Sequence, residues 1–203
     1  MELLGTWLGA MGRTMGFSFA AGINLYATVA ILGLASRYGW VALPPQFQAF
    51  DNDWIIGTAI VLYVVEFIAD KIPWVDSMWD AVHTVIRPIG GAAIAVTTLG
   101  ETSTATETMV ALMGGALAAS THFTKSGTRV MANASPEPFT NWALSIGEDV
   151  FVVGLGFLAL KYPAAAAVVV IVTLVFIVAM SAWIIRAVRR RWLTPNAQLP
   201  TPN

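Results

Sequence analysis

The chain contains no cysteine, which excludes disulfides, thiolate catalysis and cysteine-ligated metals. Charge is scarce as well: 11% of residues are charged, where a soluble domain carries about 25%. Hydrophobic residues make up 57% of the sequence, and the mean hydropathy is +0.69. These values point to an integral membrane protein. With 203 residues and spans of about 20 residues each, there is room for roughly six helices and none for a separate soluble domain. No basic region precedes the first apolar stretch and an acid stands at Glu2, which argues against a cleaved signal peptide. Enzyme motifs are missing too: no HExxH, P-loop, GxSxG or glycine-rich dinucleotide turn occurs. The DxxxD formed by Asp76 and Asp80 lacks the upstream DG and AR elements of membrane phosphatidyl-alcohol transferases. The only basic run, Arg186, Arg189, Arg190 and Arg191, follows the last apolar stretch. It reads as a topology anchor at anionic lipid, not as a nucleic-acid site.

Apolar stretches lie at about 15–36, 55–72, 78–98, 108–124, 142–160 and 163–185. The fold expected is therefore an all-α polytopic transmembrane bundle of about six spans, forming one domain over 1–192, with a polar, proline-rich tail from 193 to 203 expected to be disordered. Between Trp40 and Asn52 the chain is too short and too broken by Pro44 and Pro45 to span; it is expected at the interface, anchored by Trp40 and Trp54. Placing the terminal arginines inside puts Lys71, Lys125 and Arg129 inside as well. The opposite loops then hold Asp51, Asp53, Glu101 and Glu107, with Arg37 and Lys161 as exceptions. A multi-pass protein of the bacterial cytoplasmic membrane with both termini cytoplasmic is the resulting expectation.

What the sequence does have is charge placed at helical spacing. Asp76, Asp80, His83 and Arg87 fall at about 0°, 40°, −20° and 20° around a helix, one narrow stripe. Each such group costs about 2.5 to 3.5 kcal/mol at membrane depth unless it faces a partner, a wet cavity or a substrate path. Glu66 and Asp70 stand four apart on the second stretch. His122, Ser126 and Arg129 share a face of the fourth, with Lys125 beside them, and the fifth adds Asn141, Ser145, Glu148 and Asp149. Acids and bases nearly balance, as mutual pairing in a bundle interior requires. In a clamp, Arg87, Lys125 and Arg129 would neutralise Asp76, Asp80 and Glu148. His83, inside an acidic stripe, is a candidate proton acceptor. A metal held by Asp76, Asp80 and His83 with Glu148 is a weaker alternative, because Arg87 lies beside it.

Backbone breakers complete the pattern. Pro88 should kink or break the third span just after Arg87, and a broken helix beside charge is how many transporters present backbone dipoles to an ion. Sliding the chain by 98 residues aligns Met15, Gly16, Ala20, Ala21, Gly22, Asn24 and Thr28 with Met113, Gly114, Ala118, Ala119, Ser120, His122 and Ser126, an echo suited to an inverted repeat. A second echo, at 65, relates Pro73, Asp76, Asp80 and His83 to Pro138, Asn141, Ser145 and Glu148. Two spans separate its copies, so they would run parallel. The two echoes do not fit one simple duplication.

Three blocks, GINLYATVAILGLASRYG (22–39), EFIADKIPWVDSMWDAVHTVIRPIGGA (66–92) and THFTKSGTRVMANASPEPFTNWALSIGEDV (121–150), resemble the signatures of a bacterial family of small integral membrane proteins known only as a domain of unknown function. The resemblance covers most of 16–185 and implies a multi-span membrane protein without an assigned activity. The family tends to have an Asp after the ADKIP element and a Lys and Arg in the K-x-GTR element, here Asp76, Lys125 and Arg129. Where its first block often has Arg, this chain has Asn24.

The functional expectation is a small secondary transporter or flippase-like protein with a polar intramembrane cavity. Arg87, His122, Lys125, Arg129 and Asn24 would receive an anionic or phosphate-bearing ligand; Asp76, Asp80, His83, Glu148 and Glu66 would carry coupling protons. A structural protein held by an ionic clamp and an intramembrane lipid-phosphate enzyme are the alternatives. No cofactor and no catalytic residue is assigned; membrane lipids and a second copy of the chain are the expected partners.

Overall fold

A computed structural model of the chain describes residues 2–133 and 138–193. Among them there is no strand, and seven α-helices and one short 3-10 helix follow in order. They are α1 (Glu2–Ile23), α2 (Leu25–Tyr38), the 3-10 helix (Pro45–Phe50), α3 (Asp53–Ala69), α4 (Pro73–Leu99), α5 (Thr104–Asn133), α6 (Pro138–Lys161) and α7 (Pro163–Leu193). Contacts divide the chain into two units, one up to Val170 and one from Ile171. In the second, α7 continues through valine, isoleucine and phenylalanine into the terminal arginines. The tail expected beyond the last helix falls outside the described residues from 194 on.

Three helices, Pro73–Leu99, Phe139–Lys161 and Pro163–Arg190, are long and apolar enough to cross a membrane. They mark the chain as a membrane protein. The other expected spans correspond to helices that are broken (α1 and α2), 17 residues long (α3) or more polar (α5).

The first expected span, 15–36, is not one helix. It breaks at Asn24, whose backbone is extended (φ −146°, ψ 99°) and whose side-chain oxygen accepts the N–H of Ala27 at 2.9 Å. Asparagine competes well for its own backbone, so it starts a helix more readily than it continues one. Pro88, where a kink or break was expected, does not interrupt α4. Tertiary contacts overrule the proline: Arg87 is anchored in the interior just before it, and just after it Ser18 donates to the carbonyl of Gly91 at 3.1 Å. Gly91 also brings α4 against α5, where an added Cβ would overlap Ala118.

The core of the first unit forms around α1, which packs on α4, α5 and α6. Phe17, Phe19, Ala20 and Ala21 are buried. Gly22 approaches α5 so closely that a Cβ would run into the Thr121 hydroxyl and the Ala118 carbonyl. Small residues at such crossings let membrane helices pack backbone to backbone. The segment expected at the interface makes its short helix and turns Phe47 and Phe50 inward, with Phe47 edge-on to Phe17 at 6.3 Å. Trp40 and Trp54 stay exposed.

Candidate functional site

Glu66 and Asp70, four apart at the end of α3, face Lys125 and Arg129, four apart near the end of α5. Lys125 Nζ lies 3.2 Å from Glu66 Oε1 and 3.2 Å from Asp70 Oδ2, and Arg129 Nη2 lies 3.0 Å from Asp70 Oδ2. The Glu66–Lys125 and Asp70–Arg129 pairs have the same separation of 59 residues. That is what two parallel helices with matched i, i+4 charges must give.

A second ladder joins α4 to α5, which run antiparallel. Arg87 Nη1 donates to His122 Nδ1 at 2.8 Å, Ser126 Oγ donates to Asp80 Oδ2 at 2.9 Å, and Asn133 Nδ2 donates to Asp76 Oδ2 at 2.9 Å. The opening stripe of α4 is therefore read rung by rung along one face of α5. Arg87 ties the ladders together, its Nη2 standing 2.6 Å from Glu66 Oε1 and its Nη1 3.5 Å from Asp80 Oδ1. From α6, Glu148 grips Arg129 with both oxygens, at 2.6 Å from Nη2 and 3.2 Å from Nε, and lies 3.5 Å from Lys125. Asn141 donates to Asn133 at 2.7 Å. Asp76 and Asn141, each three residues past the proline that opens its helix, thus meet the same asparagine.

The break in the first span enters the site directly. Ending α1 at Ile23 frees carbonyls that carry the negative end of the helix dipole. Two are taken by site cations: Arg87 Nη1 donates to Gly22 O at 3.3 Å and Lys125 Nζ to Ile23 O at 3.2 Å. A break was expected to offer dipoles to a ligand. Here the break lies on another helix and its carbonyls face cations of the protein.

Burial is close to complete. Arg87 and Glu66 are 0% exposed and Arg129 is 1% exposed. Charges so buried must be paired, or the cost of desolvation is several kcal/mol each. All three are paired, but the acids are not balanced. Glu66, Asp70, Asp76, Asp80, Glu148 and Asp149 are six carboxylates against Arg87, Lys125 and Arg129; counting Lys71, which donates to Ser145 at 3.4 Å and sits 3.0 Å from the Phe67 ring centre, still leaves two acids in excess. The near balance expected from sequence, which already included Asp70 and Asp149, leans to the acidic side.

Of the expected residues, Glu66, Asp80, Arg87, Lys125, Arg129 and Glu148 meet in one ion-paired network, with His122 bonded to Arg87. Since a guanidinium only donates, His122 Nδ1 accepts, and the proton of the neutral ring is on Nε2, 3.1 Å from Thr84 Oγ1. Asp76 is bound to Asn133 and, among the described residues, pairs with no cation. Asn24 caps α2 and donates to Asp149 at 3.3 Å. His83 stands apart: Nδ1 is 2.7 Å from the Trp79 carbonyl and Nε2 is 2.8 Å from the Tyr26 hydroxyl. With both nitrogens committed, it does not join Asp76 and Asp80 as a ligand set, and no group of three or more His, Cys, Asp or Glu suited to a metal occurs among the described residues. Tyr26, Thr84 and Asn133 were not anticipated. Thr84 lies four after Asp80 on the charged stripe and was findable; Tyr26 and Asn133 carry no signal in sequence beyond their type.

A cavity of about 150 Å³ opens beside the network, walled by Asp76, Ser77, Asp80, Ala81, Thr84, Ser126, Arg129 and Val130. The interior is thus zipped along most of its length and hollow at the end near the α3–α4 turn.

Residues 11–183 match the family described as a domain of unknown function, DUF4126, and the chain belongs to it. No curated protein and no solved structure matches the chain.

Proposed function

We propose that this membrane protein is a small secondary transporter in which buried carboxylates and a substrate anion compete for the same three cations. The observation that carries the reading is the pairing itself. Lys125 and Arg129 spend every side-chain donor on Glu66, Asp70, Glu148 and backbone carbonyls. An anion reaches these cations only when a carboxylate releases them, and a carboxylate releases a cation when it takes up a proton. Proton and anion would then move together. Asp80 and Glu148 are the proposed entry points for the proton, since Asp80 borders the cavity and the Glu148 side chain, 16% exposed, is the most accessible member of the network. The proposed setting is a bacterial inner membrane with the cavity end of α4 inside; α1 runs antiparallel to α4, with Thr14 beside Thr98 and Gly22 beside Arg87, so its start lies at the opposite end.

The test is a proteoliposome assay with radiolabelled phosphate outside and a pH dye inside. An inward proton gradient should drive phosphate uptake with matching acidification, and Arg129→Gln or Glu66→Gln should abolish both. Uptake equal to that of empty vesicles, or unchanged in variants that fold, rejects the reading for phosphate-like anions.

The density of the zip favours a second reading, an ionic clamp with no solute. Polar contacts between membrane helices average only about 0.6 kcal/mol, whereas removing one partner of a buried pair costs about 3 to 5 kcal/mol. Replacing Glu66 and Arg87 together by leucine and methionine separates the two readings. A clamp regains most of its stability and loses nothing else; a transporter regains stability but not flux.

A further inference from the structure

The cavity between α4 and α5 has an unusual inventory: two carboxylate oxygens are free and its side-chain donors are spent. Ser126 gives its hydroxyl proton to Asp80 Oδ2 at 2.9 Å, Thr84 to the Asp80 carbonyl at 3.0 Å and Ser77 to the Pro73 carbonyl at 3.0 Å. Arg129 directs Nε, Nη1 and Nη2 to Glu148, Asp70 and the Asn141 carbonyl. Ala81 and Val130 supply no side-chain donor. On the acceptor side, Asp76 Oδ1 and Asp80 Oδ1 are buried and accept no hydrogen bond among the described residues. Asp80 Oδ1 has only the Arg87 guanidinium at 3.5 Å. The two residues are 1% and 5% exposed, and both border the cavity.

A buried oxygen of this kind is costly to leave without a partner. The three hydroxyls have their protons committed; Thr84 also accepts from His122 and Ser77 from Asn133, so these two have one lone pair left for the space. An anion would find no donor there, so the complement of this cavity is a positive charge. The surrounding excess of carboxylates favours the same sign.

We infer that Asp76 and Asp80, with the hydroxyls of Ser77, Thr84 and Ser126, form a binding site for a single hard cation of the alkali or alkaline-earth class. All-oxygen donors select such ions over softer transition metals. The volume suits an ion that keeps part of its water, since one water occupies about 30 Å³ of the liquid. The site shares Arg129 as a wall with the anion-handling cations, and Arg87 stands 3.5 Å from Asp80; the donors of Arg129 are turned to Glu148, Asp70 and the Asn141 carbonyl. Bound charge here would stabilise the acids in their ionised form and so oppose their protonation.

The site needs only the cavity, so it can fail or hold apart from the transport reading. The full chain, purified in detergent, is tested without any vesicle. Binding of radioactive sodium and of radioactive calcium is measured in separate arms against a choline background, each competed with the unlabelled ion. One of the two should bind saturably at about one ion per chain. Asp76→Asn should weaken it at least tenfold and Ser126→Ala about threefold, while Glu101→Gln, far along the sequence from the cavity residues, should leave it unchanged. Sodium in preference to calcium identifies an alkali site, and the reverse an alkaline-earth one. The inference is overturned if neither isotope binds saturably, which would leave the cavity to water, or if binding survives undiminished in whichever of Asp76→Asn and Ser126→Ala folds. Cation binding without phosphate flux removes the transport reading and keeps the site; flux without cation binding does the reverse.

Discussion

Arg37 and Arg87 hold carboxylates at nearly the same distance and in opposite circumstances. Arg37, in the last turn of α2, is 2.7 Å from Asp51 and 2.7 Å from Asp53, with side chains 31%, 34% and 88% exposed. Arg87, in the middle of α4, is 2.6 Å from Glu66 with both side chains fully buried. Distance alone makes the pairs look alike, yet water decides what each is worth. An exposed pair is screened and contributes about 0 to 1 kcal/mol, while a buried cation left without its partner retains a desolvation penalty of several kcal/mol. The rim pair orders a loop; the buried pair is a condition of folding.

The most forceful way to break this contrast is Arg87→Gln. It leaves Glu66 with Lys125 as its one remaining cation and removes the donor to His122, and should cost about 3 kcal/mol, read as a loss of unfolding midpoint in detergent. A cost under 1 kcal/mol would mean that Lys125 alone compensates Glu66. Next comes steric integrity beside the same network: Gly22→Ala drives a Cβ into the Thr121 hydroxyl and the Ala118 carbonyl, an overpacking that should cost about 1 to 3 kcal/mol in the same assay. Asn24→Ala removes the cap of α2 and the partner of Asp149. About 1 kcal/mol is expected, with Asn24→Ser recovering much of it; an equal loss in both variants would show that the contact to Asp149, not the cap, carries the effect. The smallest change is Arg37→Ala, at most about 1 kcal/mol and vanishing in high salt. Should Arg37→Ala match Arg87→Gln, burial would not be the distinction between the two regions.

Much of the site was legible as spacing. The stripe of Asp76, Asp80, His83 and Arg87 followed from helical periodicity, and so did the faces holding Glu66 with Asp70 and Lys125 with Arg129. Partner choice was not legible. Asp76, expected to face a cation, meets Asn133, and Glu66 and Asp70 occupy the centre instead. Spacing fixes which way a side chain points from its own helix, but the depth at which two helices register depends on how their small residues interlock. His83 illustrates the same limit. It lies on the charged stripe, yet it stacks on Trp79 at 4.6 Å and bonds Tyr26 from another helix.

Sequence by itself determined the class: a helical membrane protein whose scarce charges sit at intervals of three and four, because apolar composition and the 3.6-residue turn leave little else open. Tertiary structure decided where the chain breaks and what the charges do. Asn24 breaks its helix while α4 continues through Pro88, since Arg87 and Lys125 satisfy the carbonyls freed at one place and close packing at Gly91 holds α4 against α5 at the other. The donors of Lys125 and Arg129 are consumed and oxygens of Asp76 and Asp80 left open for the same reason. A hydrogen bond is a relation between two helices, and one chain of letters records only the ends of it.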